Sequence, residues 1–438
     1  MEFKEKLISS YLAFEEDLDL LDSVHQTRAK ALRVFEKKGF PTKKDESWKY
    51  TSLNALVNAD YALFPRSEAS IELKDVKKYF LYDTDTYKVI FIDGVYSPFL
   101  SNTTHDGLDV CLMSAALTKP KYRNLINTYF NKIASLEESL TALNTSYSKE
   151  GAFVYIPKKT VAEKPIEIIH FASGEEHSLW LQPRNLIVVD KNSQVQIIER
   201  HQSLKEHPVV TNSVTEVYVH EEAFVDYYKL QNDLTSASLI DNTYIQQAKN
   251  SHASVHTFSL GGKLVRNNLR YYHTGQRILS TLKGVTILEG KQHVDHSTMV
   301  HHSHPNCESH QDYKGIFSER SEGVFNGQIL VEKIAQKTNA FQQNNNVLLD
   351  DKATVNSKPQ LEIYADDVKC SHGCTIGQMD EEALFYLRSR GIPKKEAKAL
   401  MTYAFANNVL ESVQLPSLKK RINGQIARKL GVNLGFEL

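Results

Sequence analysis

Cys370, His372 and Cys374 stand two residues apart, and just before them Leu361, Ile363 and Ala365 alternate with polar neighbours. Period-two alternation is the signature of a half-buried strand, and on a strand this spacing places all three donors on one face. Two thiols and an imidazole suit iron, zinc or a fragment of a metal cluster. They do not close a site: a structural zinc centre wants four ligands, and no second Cys/His pair follows at finger spacing. The run is half a site, which fits completion by another subunit. The competing reading makes Cys370 and Cys374 small core residues at a strand end and has His372 bonding a backbone carbonyl.

A second cluster of donors runs from His293 to His310. If it is a strand, His293, Asp295 and His301 face one way and His296, His302 and His304 the other, and Pro305 interrupts pairing. Gathering His296, His302 and His304 would make a stand-alone, cupin-like metal enzyme, the rival reading, which expects stoichiometric metal in the isolated chain. Other enzyme signals are weak. Gly261-Gly262-Lys263 lacks the spacing that cradles phosphates, and neither a Gly-x-Ser-x-Gly elbow nor a dinucleotide fingerprint is present.

Three regions position these residues. Residues 1–150 read as mixed and mostly helical: apolar positions recur at three and four from Leu7 to Phe35 and again from Met113 to Leu143, with Trp48, Tyr50 and Leu53 as packing anchors between them. Val89–Ile92 reads as a strand ending in an Asp93-Gly94 turn. Residues 151–376 read almost wholly as strands. Polar breaks at Asp190–Ser193, His220–Glu222, Lys249–Ser251, Glu289–Lys291, Ser321–Gly323 and Asp350–Lys352 are mostly about thirty residues apart, a stacked-repeat spacing. A β-solenoid is expected, with an antiparallel sandwich as the structural alternative. Residues 377–438 return to helix, with Asp380 as N-cap, Gly391 as a stop, Pro393 opening a second helix and a basic third segment, Leu418–Leu430, whose charges read as a solvated face. Helices at both ends are candidates to cap the solenoid.

The chain has 438 residues with 52 Lys+Arg against 53 Asp+Glu, so no net field draws it to nucleic acid or an anionic membrane. Met1–Lys6 lacks the apolar core of a secretory signal, and runs such as Leu186–Val189 are far too short to span a bilayer. Four cysteines, Cys111, Cys307, Cys370 and Cys374, are too sparse for a disulfide framework. A reducing cytoplasm is the expected setting, with Cys111 in the core.

Lys369–Gly373, Thr375, Gly377, Asp380-Glu381 and Leu384–Ile392 together resemble the C-terminal signature of the SufB/SufD family of iron-sulfur cluster assembly scaffolds, on its SufD side. Further matching blocks at Pro41, Asp45–Thr51 and His301–Gly315 extend the resemblance over essentially the whole chain. It implies a right-handed parallel β-helix core flanked by helical regions, and a non-catalytic scaffold that works with a SufB-like subunit and a SufC-like ATPase. His372 matches a histidine placed at the interface where the nascent cluster is assembled, opposite a cysteine of the SufB-like subunit. Cys370 matches a family cysteine, whereas Cys374 falls where a small residue is more usual. The C-terminal helices are implied to dock the ATPase, with Leu387, Arg390, Leu400 and Phe405 as candidate contacts. The implied cargo is transient iron or an iron-sulfur cluster at the subunit interface, with nothing bound stably to the chain alone. Homology of the two subunits also admits a homodimer through the same edge.

Overall fold

The computed structural model describes residues 2–16, 18, 24–63, 71–81, 83–103, 108–174 and 178–432. Its centre is a pair of ten-stranded sheets. Sheet I stacks Tyr87–Ile92, Ile166–Ala172, Gln194–Ser203, Phe224–Gln231, His252–Ser259, Leu279–Leu288, Glu308–Phe317, Asn339–Leu348 and Lys369–Gln378. Sheet II stacks Ala152–Ile156, Arg184–Val189, Val209–Val219, Ala237–Gln247, Leu264–His273, His293–His302, Glu322–Val331 and Thr354–Ile363. From Arg184 onward successive strands alternate between the sheets, and each pairs in parallel with the strand one turn below. This is a flattened β-solenoid. Parallel pairing overturns the sandwich alternative, since hairpins would give antiparallel neighbours.

One side of each turn is made by a single residue in the left-handed region. Lys159, Asn192, Glu222, Asn250, Arg277, Asn306 and Lys337, with φ between 56° and 62°, each lead a sheet II strand into sheet I. Their amides reach the next corner: Asn192 donates to the Glu221 carbonyl, Glu222 to Lys249 and Asn250 to Gln276, at 2.9–3.1 Å. Corner side chains follow the same interval, Arg277 bonding Asn250 across 27 residues and Lys191 bonding Glu221 across 30. The opposite corners turn at Gly262, Gly290 and Glu319, also at positive φ. Five of the six expected breaks fall in turns between strands, four of them at these left-handed residues. The sixth, Ser321–Gly323, runs past its turn into the strand Glu322–Val331.

Helices cover both flanks of the solenoid. Phe3, Leu7, Tyr11 and Phe14 of the helix Phe3–Glu16, with Leu140, Leu143 and Tyr147 of Ser139–Tyr147, pack on Trp180, Val210, Ile240 and Leu264 of sheet II. Trp48 and Leu53 are buried there as expected, Trp48 lying 4.6 Å from the Arg266 guanidinium, but Tyr50 is exposed. The helical spacing expected from Met113 to Leu143 is realised as three helices, Met113–Thr118, Pro120–Tyr129 and Ser139–Tyr147. The first break falls at Pro120, and the second at Glu216, a buried sheet II carboxylate that accepts from the amides of Asn131, Lys132, Ile133 and Ala134 at 2.6–3.1 Å and pairs with Arg184. Cys111, expected in the core, is half-buried against the apolar cluster of Met113, Tyr122, Ile126, Phe153 and Leu186. Asp93-Gly94 forms the expected turn, but Asp93 is buried and accepts from Ser173.

On the other flank, Ala406, Val409 and Leu410 of Lys394–Leu410 and Leu418, Ile422 and Ile426 of Pro416–Lys429 pack on Ile198, Tyr228, Leu230, Phe258 and Val285 of sheet I. The C-terminal helices therefore line a flank instead of capping the solenoid end. Nor is the basic segment merely solvated: Arg421 bonds the Phe80 carbonyl and Lys429 bonds Glu289 and Gln292. Among the described residues no helix is long and apolar enough to cross a membrane.

Because a β-branched side chain is strained at positive φ, Asn250→Val is expected to destabilise the chain by about 1–2 kcal/mol, whereas Asn250→Gly stays near wild type. Urea unfolding of the three proteins checks the order; equal midpoints would remove the corner as a determinant.

Candidate functional site

The strand Lys369–Gln378 is the last of sheet I, and Thr354–Ile363 the last of sheet II. Each is hydrogen-bonded to a neighbour on one side only, so the described solenoid ends in two free sheet edges. Register places Cys370 above Ala340, His372 above Gln342 and Cys374 above Asn344, all three of which are buried inner-face residues. The expected single face is thus the lumen of the last rung. His372 and Cys374 are exposed and Cys370 is half-buried.

Each donor has different surroundings. Cys370 packs on the apolar cluster of Ile329, Val331, Ala335, Ala340 and Ala365, and burial pushes its thiol above the usual value. Below His372 stand Gln342 and then Gln311 in register. Both Gln342 side-chain polar atoms are buried without a hydrogen-bond partner among the described residues. Ser357 of sheet II donates to Asn344 beneath Cys374 at 2.8 Å. The floor of the rung is polar under His372 and Cys374 and apolar under Cys370, so the histidine and Cys374 are the accessible donors.

The histidine-rich run forms the strand His293–His302 and splits as its alternation requires. His293 faces Thr51 and Glu322, and His301 faces Glu332. His296 faces inward to Thr286 and Asn267, and His302 to Ser309. His304 Nδ1 meets Ser303, and among the described residues His296, His302 and His304 do not converge as a ligand set, which overturns the cupin-like reading that gathered them.

Asp380 caps the helix Glu381–Ser389, accepting from the amides of Glu382 and Ala383, and only Met379 separates it from the end-rung strand. Leu384 alone is buried on that helix. Phe385 and Tyr386 are 72% and 57% exposed, with Arg390 stacked on Tyr386. Leu387 and Leu400 are half-buried. Phe405 lies against the solenoid, 5.1 Å from Lys314 Nζ, and lines a groove of about 240 Å³ with Ile316, Val347 and Met379.

Sequence reasoning missed a buried polar cluster in the lumen deep inside the stack. Lys229 donates to Glu199 at 2.9 Å and to both oxygens of Asp241 at 2.9 and 2.7 Å, while Tyr227 and Asn185 also donate to Glu199. Burial opposes the charge on Glu199, but Lys229, followed by His201 and His170, together hold the carboxyl well below its usual value. Burial likewise opposes the Lys229 ammonium, but Asp241 and then Glu199 keep its pKa raised. Next to Glu199 lie His170 and His201, rings stacked at 4.8 Å, with burial and then His201 pushing His170 down to about 3. The signal was available in Ile166–His170 and Gln194–His201, which become equivalent only once the turns are aligned.

Residues 1–168 match the family described as the SufBD protein N-terminal region, and residues 170–405 match the SUF system FeS cluster assembly, SufBD core domain. A SufBD family iron-sulfur cluster assembly protein of Synechocystis is 33% identical over 390 residues, covering 87% of this chain and 86% of its own. The iron-sulfur cluster assembly protein SufD of Escherichia coli is 30% identical over 90% of both chains. The Bacillus subtilis SufD protein is 26% identical over 89% of this chain and 90% of its own.

The buried cluster yields a stability prediction. Lys229→Met strands Glu199 and Asp241 and is expected to destabilise by about 3–5 kcal/mol at neutral pH. Without the ammonium both carboxyls acquire raised folded-state pKa values, so stability is lost as pH rises through them. The deficit against wild type should narrow between about pH 8 and about pH 5 in unfolding titrations; a deficit independent of pH would show that burial of charge is not its cause.

Proposed function

The chain belongs to the SufBD family of iron-sulfur cluster assembly proteins, and within that family we propose that it is the SufD-type scaffold subunit, non-catalytic itself, acting in the cytoplasm with a SufB-like subunit and a SufC-like ATPase. The observation that carries this reading is the uncovered last rung, with His372, Cys370 and Cys374 on its lumen face and a free edge beside them. A homologous strand laid against Lys369–Gln378 would continue the backbone ladder. It would also set an inner side chain of the partner about 4.8 Å from His372. Donors from two chains then meet, which answers the incompleteness of a three-residue run.

In this mechanism the iron or cluster is cargo, held only while both rungs are in place. His372 ligates through a neutral ring nitrogen, and protonation weakens that bond. Cys370 sits deeper with a raised thiol pKa and serves less readily than His372. The same free edges admit a second copy of this chain when the partner is absent.

The ATPase would act on the helix Glu381–Ser389. Phe385 and Tyr386 offer exposed aromatic anchors of the kind that dominate interfaces. Leu387 and Arg390 flank them, whereas Leu400 and Phe405 contribute by packing the helical region. Since only Met379 and the N-cap Asp380 link this helix to the end-rung strand, a displacement of the helix is passed to the strand that carries His372.

Two outcomes are expected. Loss of a direct ligand should cost at least the roughly tenfold seen for loss of ligand-supporting residues, so His372→Ala should lower cluster yield at least that much in anaerobic reconstitution with the SufB-like and SufC-like proteins. The complex should stay intact by native mass spectrometry; wild-type yield from the variant would remove His372 from the mechanism. Phe385→Ala with Tyr386→Ala should weaken ATPase binding at least roughly tenfold by calorimetry without lowering the melting temperature, and unchanged affinity would place the docking surface elsewhere.

A further inference from the structure

His170, Glu199 and His201 project into the lumen from two adjacent rungs of sheet I, with His170 in register with His201 and Ile168 with Glu199. Ligand atoms of the three lie within 4.8 Å of one another, and among the described residues this is the group of three His, Cys, Asp or Glu side chains that converges in this way. It is six rungs of sheet I away from His372.

The hydrogen-bond inventory leaves this group unsatisfied. His170 and His201 are only 5% and 6% exposed, yet His170 Nε2 and both nitrogens of His201 have no hydrogen-bond partner among the described residues. His201 Nε2 faces Glu199 Oε1 at 3.6 Å, beyond hydrogen-bond reach. Glu199 divides its oxygens: Oε2 accepts from Tyr227 and Lys229, while Oε1 accepts only from Asn185, at 3.0 Å. Lys229 has spent its donors on Glu199 and Asp241 and has none for the imidazoles. Two carboxylates therefore face one ammonium in this part of the lumen, leaving a negative charge beside three idle nitrogen lone-pair or N–H positions.

We propose that His170, Glu199 and His201 bind one divalent first-row transition-metal ion of the ferrous or zinc type. Two imidazole nitrogens and one carboxylate oxygen are borderline donors that favour such ions over magnesium or calcium, which take all-oxygen shells. Tetrahedral metal–nitrogen bonds of about 2.0–2.1 Å set donors about 3.4 Å apart, so a shift of about 0.7 Å by each of two facing side chains closes the set. The ion would satisfy the idle nitrogens and offset the surplus carboxylate charge. This site belongs to the single chain and does not depend on the assignment of the end rung.

Cobalt(II) is the probe, added without oxygen to the full chain, with bound metal measured after removal of excess. One cobalt per chain is expected in wild type and in the Cys370→Ser/His372→Ala/Cys374→Ser variant, and none in His170→Gln/His201→Gln. Absence of cobalt from wild type, or retention by the His170→Gln/His201→Gln variant, overturns the proposal, as does loss only in the end-rung variant. Should the buried variant not fold, anomalous diffraction from cobalt-soaked wild-type crystals decides: a peak between His170 and His201 supports the site, and its absence there refutes it.

Discussion

Every rung of this solenoid satisfies its backbone by bonding to the rung on either side, and that single requirement governs the rest of the molecule. A stack built this way cannot end without leaving a row of unpaired donors and acceptors. At the start, Val95–Tyr96 and Asp109–Leu112 close the two sheets with antiparallel strands. At the finish, Lys369–Gln378 and Thr354–Ile363 are left open, and the metal-capable side chains sit on the open strand. The incomplete backbone ladder and the proposed ligand set thus coincide on one rung, and under the proposed function a partner edge would answer both.

Stacking in register also explains the character of the lumen. Each inner position is repeated turn after turn, so one column runs from Ile166 and Ile197 through Tyr227, Val255 and Leu282 to Gln311, Gln342 and His372. The column is apolar while it is deep and polar as it nears the open end, which lowers the cost of leaving that end in water. The Lys229 cluster breaks this trend deep inside. There the low dielectric makes paired charges strong and unpaired ones costly, so Lys229, Glu199 and Asp241 hold only as a set.

Helices on the flanks have a division of labour that follows from their contacts. Those before the solenoid are locked onto sheet II by aromatic packing around Trp180, Phe3 and Phe40. The two long C-terminal helices are equally fixed on sheet I. Glu381–Ser389 lies between them and the end rung with a single buried residue, so it is the least constrained of the C-terminal elements and the one joined directly to the end-rung strand.

Local periodicity in the sequence determined the strand-rich centre, the turns near every thirtieth residue, the Asp380 cap and the shared face of Cys370, His372 and Cys374. Those features depend on neighbours a few residues away. It also determined that the histidine-rich run is split, because alternation along a strand is a local rule. Only the tertiary structure decided that the shared face looks into an open lumen, that Glu216 breaks the helix after Tyr129, and that His170, Glu199 and His201 converge. Each of these contacts joins residues separated by a full turn of the solenoid or more, and a single sequence carries no measure of which turn lies above which until the backbone ladder fixes the register.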